Sequence, residues 1–93
     1  MRQLEYLAVF EPSKTGFSVY FPDLPGCISH GGNLEEAMNE ARDALGLHLY
    51  GMEKDGDKIP EPSRVPSVDA ETSPGYFIVP ISINISHTSH LHE

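Results

Sequence analysis

The sequence predicts an α+β domain in β-β-β-α-β order: a four-stranded, mostly antiparallel sheet with one helix packed on one face. Three observations carry that prediction. Near both ends of the chain, residues 4–11 and 77–85 place apolar side chains at every second position, which is the period of a strand. Between them, residues 34–52 place apolar side chains three and four apart, which is the period of an amphipathic helix. A chain of 93 residues with 39% hydrophobic and 22% charged side chains has room for one domain with a modest core and is too apolar to be disordered.

Each element follows from its own residues. In the first strand Leu4, Tyr6, Ala8 and Phe10 share one face and Leu7 and Val9 the other, so both faces are apolar and a central position is expected. Pro12, Ser13, Lys14, Thr15 and Gly16 are turn residues, and they predict a hairpin with a loop of about five residues. The alternating partner strand covers residues 17–21. Pro22-Asp23-Leu24-Pro25-Gly26 interrupts it, and residues 27–30 are long enough for a short third strand ended by Gly31-Gly32.

Asn33 is a good helix N-cap, and Glu36 three residues later completes the polar pair of a capping box. From there Leu34, Ala37, Met38, Ala41, Leu45, Leu49 and Met52 form one apolar stripe, predicting a helix of about 20 residues ending near Lys54. Gly46 and Gly51 each weaken it by up to about 1 kcal/mol, so packing on the sheet must hold it. Residues 55–75 carry Pro60, Pro62, Pro66 and Pro74 without periodicity, as functional loops and linkers do. In the last strand Phe77, Val79, Ile81, Ile83 and Ile85 share a face, and Pro80, which lacks an N–H, favours an edge position or a bulge. Residues 1–85 are expected to form the domain, with residues 86–93 a mobile tail carrying His87, His90 and His92.

One helix covers one face of such a sheet. Leu7, Val9, Tyr20 and Ile78 are expected on the other, and a contiguous apolar patch there indicates a homodimer, a higher homo-oligomer or a partner interface.

Charge narrows the class of partner. Fourteen acidic side chains against six basic ones give a formal net charge of −8. Arg2, Lys14, Arg42, Lys54, Lys58 and Arg64 form no cluster in the sequence, so DNA binding is not expected and RNA binding is disfavoured. An acid excess suits a basic protein, because opposite fields steer the encounter. Cys27 is the only cysteine, so no disulfide framework exists. No stretch reaches the roughly 18 apolar residues of a membrane helix, and a cytoplasmic protein is expected.

The motifs in order are an aromatic-rich hairpin leading into Phe21-Pro22-Asp23-Leu24-Pro25-Gly26-Cys27, a glycine turn, Asn33-Leu34-Glu35-Glu36-Ala37 opening the helix, and Ile59-Pro60-Glu61-Pro62-Ser63 after it. In that order the chain resembles the N-terminal domain of HicB-like antitoxins, over most of residues 4–85. The resemblance implies a partly degraded ribonuclease-H-like fold. It also implies a partner: a small basic HicA-type toxin that cleaves mRNA, whose RNA-binding or catalytic surface the antitoxin masks. Family members often add a C-terminal DNA-binding module. After Ile85 about eight residues remain, and operator binding by this chain is not expected.

A ribonuclease-H-like active site needs carboxylates from the first strand, the helix and the last strand around paired metal ions. Glu5, Glu11, Glu35, Glu36 and Glu40 are available, but residues 76–85 hold no acid. No catalytic residues, metal site or cofactor are therefore expected. Glu35 and Glu36 in the first helical turn complement the helix dipole, and Glu40 fits a solvated face.

The partner-binding candidates are Asp23, Leu24, Pro25, Glu35, Glu36 and Glu40. Asp23 has two readings: it fixes its own loop through local backbone hydrogen bonds, or a loop stiffened by two prolines presents it with Leu24 to a basic partner. Cys27 reads as a small buried residue, and His30 and His48 as structural or exposed. The histidines of the tail suit adventitious metal binding at most. The alternatives to the antitoxin reading are a free-standing RNA-binding protein and a structural oligomer without a toxin partner.

Overall fold

The alternating segments pair as antiparallel strands, and the 3.6-period segment lies across them. The structure, a computed structural model, describes residues 2–63 and 75–85. It contains β1 (Arg2–Ser13), β2 (Gly16–Tyr20), β3 (Ile28–Gly31), α1 (Leu34–Lys54) and β4 (Phe77–Ile85). The sheet order is β3-β2-β1-β4, and every neighbouring pair is antiparallel. The doubly apolar β1 is central and the proline-bearing β4 lies at an edge, as their patterns require. The expected tail, residues 86–93, lies outside the described residues.

Register decides which side chains meet α1. Leu4, Tyr6, Ala8 and Phe10 stand opposite Ile83, Ile81, Val79 and Phe77, and Phe10 also stands opposite Val19. That face packs against Ala37, Ala41, Leu45 and Leu49 of α1, all buried. The rings of Phe10 and Phe77 stack with centroids 5.2 Å apart, and Phe17 meets Phe10 edge-on at 6.4 Å, both within the favourable range for aromatic pairs. The hydroxyl of Tyr6 donates to the carbonyl of Pro60 at 2.6 Å, tying the segment after α1 to the central strand.

Strand boundaries shift by one or two residues from the sequence expectation, and two of the shifts matter for packing. The hairpin turn is Lys14-Thr15 alone, because β1 continues through Ser13, which pairs with Gly16. Gly16 has φ 141°, and a Cβ there would lie 2.0 Å from the Gly31 carbonyl oxygen. Only glycine lets the hairpin end come this close to the end of β3. Pro12 is tolerated in the strand because pairing with β4 has already stopped at Phe10, so one side of the ladder there is open. The second difference is Cys27, which precedes β3 and turns into the core.

At the start of α1, Asn33 Oδ1 accepts the Glu36 N–H at 2.8 Å. The return bond departs from a standard capping box: Glu36 Oε1 accepts the N–H of Gly32 at 2.5 Å, one residue before the cap. No helix among the described residues is long and apolar enough to cross a membrane.

Candidate partner interface

The loop between β2 and β3 closes on itself. The Leu24 N–H donates to the Phe21 carbonyl and the Cys27 N–H to the Leu24 carbonyl, each at 2.9 Å, and the Phe21 N–H donates to the Cys27 carbonyl at 3.2 Å. Closed by these three bonds, the loop turns Leu24 inward, where it is 1% exposed. Leu24 is therefore a core residue of the isolated chain, its side chain not displayed as the sequence led one to expect; removing it from water is worth about 2 kcal/mol.

Asp23 makes a long-range contact that neither local reading of it contains. Its Oδ2 accepts the Ser63 N–H at 2.7 Å and its Oδ1 accepts the Ser63 hydroxyl at 2.6 Å, across a separation of 40 residues. Both carboxylate oxygens thus hold the segment after α1. Ser63 was part of the motif after the helix, but nothing local in the sequence pairs it with Asp23. Pro25 is exposed at the tip of the loop.

The outward face of α1 carries the other candidates. Glu35, Glu36 and Glu40 are all exposed. At spacings of four and three, Glu36, Glu40, Asp43, Leu47 and Tyr50 follow one line along the helix, so they form a single ridge. Leu47 is 74% and Tyr50 52% exposed. Sequence reasoning missed these two; the available signal was two large apolar residues lying off the buried stripe. The ridge runs toward an open cleft of about 550 Å³ between the PDLPG loop and the C-terminal half of α1.

The opposite face of the sheet bears Leu7, Val9, Tyr20, Ile28 and Ile78, placed there by the pairs Val9–Tyr20, Val9–Ile78 and Tyr20–Ile28. Glu5 and Glu11 share this face. Glu5 accepts from the Ser82 hydroxyl at 3.1 Å, and Glu11 accepts from the Tyr76 hydroxyl, a bond that raises the Tyr76 pKa. The acids of β1 and those of α1 therefore stand on opposite sides of the sheet and do not converge. Among the described residues no three His, Cys, Asp or Glu side chains are grouped to hold a metal ion.

Cys27 is 3% exposed, and its Sγ lies 3.7 Å from the Ala44 carbonyl. Burial pushes its pKa to about 11, so the unreactive thiol form predominates at neutral pH. His30 is exposed on β3 and His48 is half-buried beside the cleft, whereas His87, His90 and His92 lie outside the described residues.

A model of the "HicB_like antitoxin of bacterial toxin-antitoxin system" family matches residues 6–92. Antitoxin HicB 2 of Photorhabdus laumondii is 37% identical over 62 residues, covering 67% of this chain and 45% of its own length. Antitoxin HicB 1 of the same organism is 32% identical over 84 residues, covering 89% of this chain and 50% of its own. The chain thus spans about half the length of both. A chain of a solved HicA3 and HicB3 toxin-antitoxin complex superposes with a TM-score of 0.69 at 23% identity, over 83% of this chain and 94% of that one, a likeness of fold.

Proposed function

The chain belongs to the HicB-like antitoxin family of bacterial toxin-antitoxin systems, and from that premise we propose that it binds a small basic HicA-type toxin and masks its RNA-binding or catalytic surface. The observation that carries the proposal is the ridge of α1, where Glu36, Glu40 and Asp43 continue into Leu47 and Tyr50, both exposed. Protein interfaces combine a small apolar centre, often aromatic, with a polar rim, and the acids complement a surface built to attract RNA phosphates. Pro25, Glu35, Glu36 and Glu40 contribute contacts. Leu24 acts indirectly, by fixing the loop beside the ridge, and Asp23 adds its charge to the cleft at the end of that ridge.

The chain acts by binding, without catalysis of its own, and meets the toxin in the cytoplasm, where mRNA is cleaved. A second copy covers the apolar sheet face opposite α1 to form a homodimer or higher homo-oligomer. That face offers apolar area around Val9, whereas the charged ridge on α1 is left free for the toxin.

Mixing the purified chain with a HicA-type toxin, then measuring complex formation and RNA cleavage, tests the proposal. A complex with suppressed cleavage is expected. Absence of a complex at micromolar concentrations refutes it.

A further inference from the structure

We propose that the cleft at the C-terminal half of α1 receives a long cationic side chain, lysine or arginine, that projects from the basic protein partner. The inference rests on the partner reading above and locates the point where that partner is gripped. The cleft, about 550 Å³, lies between the PDLPG loop, the second half of α1 and the segment that follows the helix. It is open along one side, so it admits a side chain from an apposed surface.

The two glycines of α1 are the first observation. A Cβ at Gly46 would lie 2.7 Å from Ile83 Cδ1, so packing against β4 excludes a side chain there. At Gly51 a Cβ would meet nothing within 4 Å. Glycine is a poor helix former, and no contact among the described residues calls for it at this position. What it does is leave the wall of the cleft bare.

The chemistry of the lining names the occupant. Leu47, 74% exposed, and the half-buried Met52 supply apolar surface on which an aliphatic stem can lie. Beyond them stand the exposed carboxylates of Asp55 and Asp57, with Lys58 beside them. Asp23 adds a third negative charge, held in a fixed orientation by Ser63. Three acids against one base favour a cation, and a stem-plus-head side chain satisfies both parts of the lining at once.

The test is titration of the wild-type complex against two variants. Gly51→Leu fills the cleft without touching a charge, and the Asp55→Asn, Asp57→Asn pair removes the charge without filling it. Each is expected to weaken binding to the HicA-type toxin by about tenfold or more. Glu5→Gln on the opposite sheet face serves as the charge control and is expected to bind within about twofold of wild type. Thermal melts separate this from misfolding, since Gly51→Leu is expected to melt no lower than wild type. If wild type forms no complex, the partner reading falls and the cleft assignment with it. If wild type binds and either cleft variant binds equally well, or Glu5→Gln loses as much as the aspartate pair, the cleft assignment alone is overturned.

Discussion

The two faces of the sheet are built from the same strands and meet different fates. On one, Tyr6, Phe10 and Ile81 are sealed beneath α1 and all are at most 1% exposed. On the other, Val9 is equally buried, yet no helix among the described residues lies over it; Tyr20 and Ile78 stand beside it on the neighbouring strands, while Tyr20 remains 36% and Ile28 69% exposed. Burial of a central position is thus no sign that the face around it is covered. The first face is a core beneath α1, and the second has the composition of a core that no helix among the described residues covers.

Substitutions can break that comparison. The largest effect is expected for Phe10→Ala, which removes a ring stacked on Phe77 and leaves a cavity under α1, at a cost of about 3–5 kcal/mol. The loss is expected to be the same at every protein concentration in denaturant titrations. Val9→Ala, two methyl groups smaller, is expected to cost about 1.6 kcal/mol at roughly 0.8 kcal/mol for each buried carbon. Equal losses at the two positions would show that the faces are equally packed and erase the distinction.

A smaller effect is expected away from both faces, at Asp23→Ala. It removes two hydrogen bonds to a charged acceptor and frees residues near Ser63, lowering stability by about 1–2 kcal/mol. Faster proteolysis of the segment after α1 would report it. The smallest effect on the folded chain is expected for Ile28→Lys, at a position 69% exposed, with stability changing by less than about 0.5 kcal/mol. Its consequence is expected in assembly: light scattering should show loss of any self-association across the open face. An unchanged assembly state would remove Ile28 from the interface.

How much was legible depends on the distance over which each feature is encoded. The stripe from Ala37 to Leu49, the cap at Asn33 and the alternation of β1 and β4 are patterns within a few residues, and each element formed where its pattern lies. Even the membership of Leu7, Val9, Tyr20 and Ile78 in one face followed from alternation. The hairpin turn was misjudged because its length depends on Gly16 approaching Gly31, a contact between elements. The burial of Leu24 is not legible locally, because a loop between two prolines looks presented, whereas its internal hydrogen bonds let it turn inward. The exposed pair Leu47 and Tyr50 was legible in principle, since both lie off the helical stripe.

By itself the sequence determined the elements, their order, the two chemically distinct faces and the acid excess, because periodicity, capping and charge are local or additive. Only the tertiary structure decided what Asp23 and Leu24 do and where the cleft opens. Those outcomes depend on contacts such as Asp23 with Ser63 and Tyr6 with Pro60, separated by 40 and 54 residues. A side chain commits to such a contact only when folding has brought the two segments together, and no local preference of either residue encodes the meeting.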